Sequence, residues 1–207
     1  MKQRLGTRHR RESIIFATIL LGLAAILVIT AHPTLASIAS AAPTPSARIP
    51  AANGPCMDKA VRYKDCGNGT VTDTATGLIW LKQTDCLKTL DFQAATKAVG
   101  SLKQGDCQLT DGSAPGDWRL PTKAEWDETI KGALAVGCMG PTLTNDAGNG
   151  CLSAGPTSFI GVEADYYWSN TPEGKEQMYF GDLDHGHTLK GNLFNPLRVW
   201  PVRGGQR

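Results

Sequence analysis

The chain has 207 residues and a formal net charge of +2, a length that suits one ordinary domain preceded by an export segment. The positive charge is concentrated near the start, because 16 basic and 18 acidic residues follow residue 42. A nearly neutral domain lacks the basic surface that nucleic-acid binding requires, so no nucleic-acid partner is expected.

The first 41 residues have the order of a secretory signal. Five basic residues lie within the first eleven positions, an apolar run extends from Ile14 to Ile29, and small residues follow at 39–41. This order predicts export with cleavage after Ala41 or, as the alternative, after Ala36. The apolar run of about 16–18 residues is at the short edge of a bilayer span, which leaves an uncleaved membrane anchor as the second interpretation.

Residues 42–55 are rich in Ala and Pro and predict a short tether, so we expect the folded domain over residues 56–207. An even number of cysteines in an exported chain indicates a disulfide framework. We expect the sequential pairs Cys56–Cys66, Cys86–Cys107 and Cys138–Cys151, each of which closes a short loop rich in Gly, Asn or Asp. Zinc is the alternative, but no CxxC spacing occurs and no histidine is near.

The first half of the domain shows one hairpin and two helices. Residues 70–73 and 78–81 flank a Gly-containing turn and predict a β-hairpin. Asp91 is the expected N-cap of a helix over 92–102. The segment GDWRLPTKAEW (116–126) predicts a strand end, a turn at Pro121 and a second helix over 123–135, because Thr122 and Glu125 have capping-box spacing. Trp126, Ile130 and Leu134 are expected on one helix face.

The second half predicts strands around one long loop. Residues 137–161 are rich in Gly, Pro, Thr and Asn and indicate a loop tied by Cys138–Cys151. We expect strands at 166–169, 177–180 and 188–190, a turn at 181–187, and a last strand from Arg198 to Arg203. Two early helices followed by several antiparallel strands predict an α+β fold.

Several segments carry a resemblance to a known family. They are GNGTVTDTATGLIWLK (67–82), CQLTDGSAPGDW (107–118), GDWRLPTKAEW (116–126), YYWSN (166–170) and VWPVRGG (199–205). Through them the chain resembles the Lcl C-terminal domain family over about residues 56–206, a family named for the tail domain of a bacterial collagen-like adhesin. The resemblance implies a C-type-lectin-like fold and binding of surface glycans, especially sulfated ones. No collagen-like Gly repeat is present, so any multivalency has to come from the domain itself.

One cluster of residues has metal-ligand chemistry. Asp182, Asp184, His185 and His187 lie within six positions, where carboxylates favour calcium and imidazoles favour transition metals. The same residues are also typical of a plain hairpin turn. The spacing of a calcium loop and the calcium motifs of glycan-binding C-type lectins are absent, so we expect no cofactor, with calcium as the alternative.

Aromatic residues are divided between core and candidate binding surface. We expect at least four of the five tryptophans in the core, since a small domain needs large apolar groups. Candidate ligand-binding residues are Tyr166, Tyr167, Tyr179 and Arg198, with Phe194 as a further stacking platform. Ordinary strand packing is the alternative for each of these aromatic residues, and it is the more frequent case. For Arg119 and Arg203 we favour structural ion pairs, with a partner such as Asp117 or Glu125, over an arginine fork for an anion.

These patterns predict an exported, non-catalytic, adhesin-like binding domain in the periplasm, at the cell surface or secreted. Its expected partner is a surface glycan or glycosaminoglycan. The alternative is a protein-interaction module of the cell envelope that uses the loop at 137–161. Membrane contact is expected only through an uncleaved signal. An oxidase-like enzyme on the same fold is a third hypothesis, but no GxSxG motif occurs and the cysteines are better explained as bridges.

Overall fold

The computed structural model describes residues 54–204, so the predicted signal at 1–41 and residues 42–53 of the predicted tether lie outside the described part. The described residues form two helices, nine strands and one 3₁₀ turn at Leu152–Ala154. The strands are β1 Tyr63–Asp65, β2 Thr70–Asp73, β3 Leu78–Leu81, β4 Thr89–Leu90, β5 Tyr166–Pro172, β6 Gln177–Asp182, β7 His187–Asn192, β8 Leu197–Arg198 and β9 Val202–Gly204. The helices are α1 Phe92–Ser101 and α2 Lys123–Leu134.

The first sheet joins the beginning and the end of the described chain. Its order is β1-β2-β3-β9, and all neighbours are antiparallel. The β2–β3 hairpin is the one that the sequence predicts, and its turn contains Gly77 at φ +72°, a conformation that favours glycine. β1 was not expected from the sequence. The pairing of β3 with β9 positions the terminal signature beside the first hairpin.

The second sheet has the order β4-β8-β5-β6-β7, in which only the β5–β8 contact is parallel. Strands β5, β6 and β7 form a meander that extends beyond the predicted bounds. The expected single strand from Arg198 to Arg203 is wrong, because the chain divides it between two sheets. β8 pairs with β4 and β5, whereas β9 pairs with β3. Arg119, expected at a strand end, makes one isolated bridge with Val202.

Both helices begin where their sequence signals predict. The Asp91 side chain accepts a hydrogen bond from the Ala94 amide, and Thr122 and Glu125 form the complete capping box. Helix α2 packs on β5, β6 and β7. Gly181 of β6 permits this approach, since a Cβ there would lie 2.8 Å from Cδ2 of Trp126. An α+β fold is therefore confirmed.

All five tryptophans are buried, as expected. Trp200 lies at the centre of the core, with ring centroids 4.8 Å from Trp80 and 6.0 Å from Trp126. Its indole N–H donates to the Leu81 carbonyl at 2.8 Å, so the polar atom is satisfied inside the core. The expected helix face ends early, because Leu134 is 43% exposed whereas Trp126 is 0% exposed.

Three disulfides hold the loops: Cys56–Cys66, Cys86–Cys107 and Cys138–Cys151, the sequential pairs expected from the sequence. Such a framework is typical of an oxidising compartment outside the cytosol. The loop at 137–161 is partly interior, since Leu143 is 1% exposed and the Asp146 carbonyl accepts from the Tyr63 amide. Neither helix in residues 54–204 has the length and apolar character needed to cross a bilayer.

Candidate binding surface

The second sheet presents one face to α2 and the other face away from it. Because Gly181 lies against Trp126, its neighbours Phe180 and Asp182 point to the opposite face. Residues paired across an antiparallel ladder share a face. Asp182 pairs with Tyr166 of β5 and with His187 of β7, so these three side chains form one row across three strands.

A half-exposed tyrosine is the main feature of this face. Tyr166 is 37% exposed, and its ring meets Phe180 edge-on with centroids 5.2 Å apart. Leu189 pairs with Phe180 on β7 and is 39% exposed. We call the set of Tyr166, Phe180, Asp182, His185, His187 and Leu189 the Tyr166 surface. Phe180 fixes the tyrosine ring while leaving part of it open to solvent.

Asp182 organises the β6–β7 turn beneath two histidines. The carboxyl group is 1% exposed, and its Oδ1 accepts from the backbone amides of Asp184 and His185, each at 3.0 Å. Its Oδ2 lies 3.1 Å from Nδ1 of His185 and 3.3 Å from Nε2 of His187. Two backbone amides and two histidine nitrogens of the turn thus contact the oxygens of the buried carboxylate.

The four candidate metal ligands are brought together, but their contacts are those of a turn. Asp182 is occupied by the bonds just described, and Asp184 lies 3.7 Å from Nε2 of His185. Within residues 54–204 no group of three or more His, Cys, Asp or Glu side chains is arranged to hold a metal ion. The geometry therefore favours the interpretation as a hairpin turn.

The four candidate ligand residues do not form one site. Tyr167 is fully buried, which corrects its assignment as a ligand-binding residue. Its hydroxyl donates to the Glu163 carbonyl at 3.1 Å, and burial raises the pKa of Tyr167 to about 12. The alternation of β5 explains the difference, because successive tyrosines point to opposite faces and only Tyr166 reaches solvent.

Tyr179 and Arg198 are engaged in other contacts. The Tyr179 hydroxyl donates to Glu173 at 2.8 Å, and the ring lies under the Lys123 ammonium on the α2 side of the sheet. Arg198 donates through Nε to Asp165 at 2.7 Å. The same Asp165 accepts from the Tyr166 amide, but Arg198 is the ladder partner of Tyr167 and shares its face, so neither Arg198 nor Tyr179 belongs to the Tyr166 surface.

Phe194 is 80% exposed, in the connection between β7 and β8. It is the most exposed of the large apolar residues in residues 54–204. The sequence did not single out Phe180, Leu189 or Asp165. The register of β6 against its neighbours was the missing information, since alternation alone does not tell which face is open.

Both signature arginines have structural roles, as favoured from the sequence. Arg119 makes two parallel bonds to Glu125, at 2.8 and 2.6 Å, and a third to the Gly204 carbonyl at 3.1 Å. Burial opposes ionisation of Glu125, but the hydrogen bonds from Arg119 and Thr122 outweigh it and lower the pKa of that carboxyl. Arg203 pairs with Asp111 at 3.0 Å, a partner that the sequence did not suggest.

Together the fold and this surface define a disulfide-stabilised α+β domain with a partly exposed face on its second sheet. Tyr166, His185, His187 and Leu189 reach solvent there, whereas Phe180 and Asp182 are buried. The model of the Lcl C-terminal domain family matches residues 69–203, and the chain belongs to that family. The resemblance carried by the sequence signatures is thereby confirmed. No curated protein matches the chain.

Proposed function

We propose that this protein is an exported, non-catalytic binding domain that recognises surface glycans through the Tyr166 surface. The observation that carries the proposal is the Tyr166 ring, which meets Phe180 edge-on, is 37% exposed and lies in the same cross-strand row as His187. A fixed aromatic ring offers an apolar face to the C–H groups of a sugar at low entropic cost. His185 Nε2, which lies 3.7 Å from Asp184, is the polar group offered to hydroxyl, carboxylate or sulfate oxygens, since both ring nitrogens of His187 contact groups of the turn.

Several further features support this proposal. Membership of the Lcl C-terminal domain family, as described above, supports an adhesin-like role and a C-type-lectin-like fold. The β3–β9 pairing, which brings both ends of the domain into one sheet, agrees with that fold. All six cysteines are engaged in disulfides, so they offer no thiol nucleophile. The signal-like segment at 1–41 supports export.

The ion pairing of the basic side chains affects which glycans the surface can bind. Nine lysines and arginines in residues 54–204 pair with carboxylates, among them Arg198 with Asp165. Exposed pairs of this kind reduce the local positive potential. We therefore propose that stacking on Tyr166 supplies most of the affinity, and that sulfate adds a smaller, salt-sensitive part.

The test is a screen of the purified protein against neutral glycans and glycosaminoglycans, with calcium and then with chelator, over a salt series. We expect Tyr166→Ala to weaken binding about tenfold or more, which corresponds to about 1.4 kcal/mol. Tyr179→Ala, the same change on the opposite face, is the matched control and should bind like the unchanged protein. Phe194→Ala tests whether the loop after β7 takes part.

Three outcomes would contradict the proposal. Equal loss in the Tyr166 and Tyr179 variants would indicate that folding rather than contact is affected. Binding abolished by chelator would indicate a metal-dependent site instead. A blank screen from folded protein would favour the second candidate, a protein-interaction module.

The second candidate is favoured by exposed apolar residues at the end of α2. Leu134, Val136 and Met139 are 43%, 38% and 56% exposed, next to the loop tied by Cys138–Cys151. Clustered exposed apolar groups are typical of protein contacts. Cross-linking in the native envelope, compared with a Met139→Ser variant, tests this. A partner lost in that variant, with no glycan signal, would establish it.

A further inference from the structure

Strand β7 is an open edge of the second sheet. It is six residues long, and within the described part of the chain the backbone of residues 187–191 hydrogen-bonds only to β6. The opposite edge, β4, has only two residues. A long strand edge with unpaired N–H and C=O groups readily accepts another strand.

We propose that β7 pairs antiparallel with β7 of a second copy of this chain, about a two-fold axis beside Leu189. In this register Leu189 lies opposite the partner's Leu189. Lys190 lies opposite the partner's Thr188, and His187 lies opposite the partner's Gly191. The result is one continuous sheet of ten strands with a closed two-fold interface.

Apolar complementarity supports this register. Leu189 is 39% exposed and continues a cross-strand row that starts at Trp168 and runs through Phe180. The row ends in solvent at the edge of β7. In the proposed dimer each Leu189 covers the other, and directly opposed apolar side chains stabilise a strand pair.

Charge complementarity supports it on the other face. The Thr188 hydroxyl donates to Oδ1 of Asp127 in α2 at 2.8 Å, and Lys123 pairs with Oδ2 of the same carboxylate at 2.6 Å, so a lysine of the partner would join Lys123 at this group. Lys190 is two residues along β7 and therefore on the same face; its side chain is 57% exposed, and its pair with Glu173 is long, at 3.5 Å. Pairing about Leu189 brings each Lys190 beside the partner's Asp127, so that the contact forms twice. An axis beside Lys190 would instead oppose two lysines, which is destabilising.

The helices leave room for this arrangement. Helix α2 packs over β5, β6 and β7, so its axis lies near β6. From β6 to the partner's β6 is three strand spacings, about 14 Å, whereas packed helices need only about 8–10 Å. On the opposite face the two Tyr166 side chains, on β5 of each copy, lie about five strand spacings, or 24 Å, apart and point the same way. The dimer thus presents two copies of the candidate binding surface on one side, which increases avidity for a repeating ligand.

The test is sedimentation velocity of the full-length chain, purified after expression with its own leader, from low to high micromolar concentration. The interface is small, so we expect a weak dimer. Leu189→Lys places like charges opposite each other and should weaken association about tenfold or more. Ile160→Lys is the matched control, since Ile160 is 46% exposed and outside the second sheet, and it should dimerise normally.

A charge exchange tests the register itself. Lys190→Glu should weaken the dimer, and adding Asp127→Lys together with Lys123→Glu, which keeps the pair inside α2, should restore it. Circular dichroism checks that each variant is folded. Amide hydrogen exchange in β7 should slow as concentration rises. A monomer at every concentration, failure of the exchange to restore association, or a dimer whose β7 amides stay unprotected would overturn the proposal. So would a monomer that binds an extended peptide along β7.

Discussion

Arg203 and Asp111 form an ion pair that is closed to solvent on both sides, with nitrogen and oxygen 3.0 Å apart and side chains 8% and 0% exposed. The guanidinium also lies over the Trp118 ring, 5.3 Å from its centroid. Asp111 accepts through Oδ1 from the amide and hydroxyl of Ser113. The terminal signature is therefore bound to the loop that leads into the GDWRLP segment.

Removing one partner of this pair should be costly. We expect Asp111→Ala to lower the free energy of unfolding by about 3–5 kcal/mol, because it leaves a buried guanidinium without its counter-charge. The double change Asp111→Ala with Arg203→Met should cost less than Asp111→Ala alone, because no unpaired guanidinium is then left buried. Urea unfolding of the four proteins in a double-mutant cycle measures this coupling, and strictly additive effects would contradict it.

The β6–β7 turn should depend on the charge of Asp182. Asp182→Asn keeps one acceptor oxygen but removes the carboxylate between His185 and His187, so we expect a loss of about 1–3 kcal/mol. Asp184→Asn, at a side chain that is 50% exposed, is the matched control and should change stability by less than about 0.5 kcal/mol. Urea unfolding measures the change in the free energy of unfolding for each variant. Amide hydrogen exchange shows whether the loss in Asp182→Asn arises in the turn.

Chelation should leave the stability of the protein unchanged. The Asp182 carboxylate is satisfied inside its turn, and residues 54–204 contain no group of His, Cys, Asp and Glu arranged for a metal. The melting temperature with EDTA should therefore equal that with added calcium or zinc. A rise in melting temperature on addition of metal would instead support the interpretation of the turn at 182–187 as a metal site.

Stability should fall at alkaline pH because two tyrosines are buried. Burial raises the pKa of Tyr167 to about 12 and that of Tyr63 further, whereas both ionise near pH 10 in an unfolded chain. Below about pH 10 both states keep the phenolic protons, so this contribution is constant. Above it only the unfolded state loses them, and the free energy of unfolding falls by about 1.4 kcal/mol per pH unit and tyrosine.

Urea unfolding between pH 9 and pH 12 checks this slope, in the range set by the pKa of Tyr167. Tyr167→Phe and Tyr63→Phe should each flatten it, because phenylalanine has no proton to lose. Tyr166→Phe, at the exposed neighbour, should leave it unchanged. A slope that is the same in all three variants would assign the alkaline loss to other groups.

The disulfide Cys138–Cys151 should stabilise both the loop that it closes and strand β1, which contacts that loop. Replacing both cysteines by serine should lower the free energy of unfolding by about 3 kcal/mol, the entropy of a loop of this length. The same loop supplies the buried Leu143 and the Asp146 carbonyl that holds β1. The double variant should therefore also show faster amide exchange at Tyr63. Exchange confined to the loop would show that β1 is held independently.

Features set by neighbouring residues were predictable from the sequence. The capping box of Thr122 and Glu125 and the Asp91 cap are formed within three positions, so local spacing identified both helix starts. The cysteine pairs also close short loops, which made the sequential pairing the simplest. The Arg119–Glu125 pair was one of two that the sequence suggested, since Asp117 and Glu125 are both close to Arg119 along the chain.

Features set by register and distant packing were not predictable. Nothing local distinguishes Tyr166 from Tyr167, because their difference depends on α2 covering one face of β5. The Asp111–Arg203 pair joins distant segments of the chain. Leu134 has the same four-residue spacing as Trp126 and Ile130, so the sequence predicts it on the buried face of α2. It is exposed because α2 extends beyond the edge of the core at that point. Without the register of the second sheet, the open face could not be identified.

The division of the last residues between β8 and β9 gives the domain a mechanical property. β8 belongs to the second sheet and β9 to the first, with the buried Trp200 between them. A force applied at the C-terminal end is therefore carried into both sheets at once, through residues 197–204. We therefore expect the two sheets to unfold as one unit when this end of the domain is pulled.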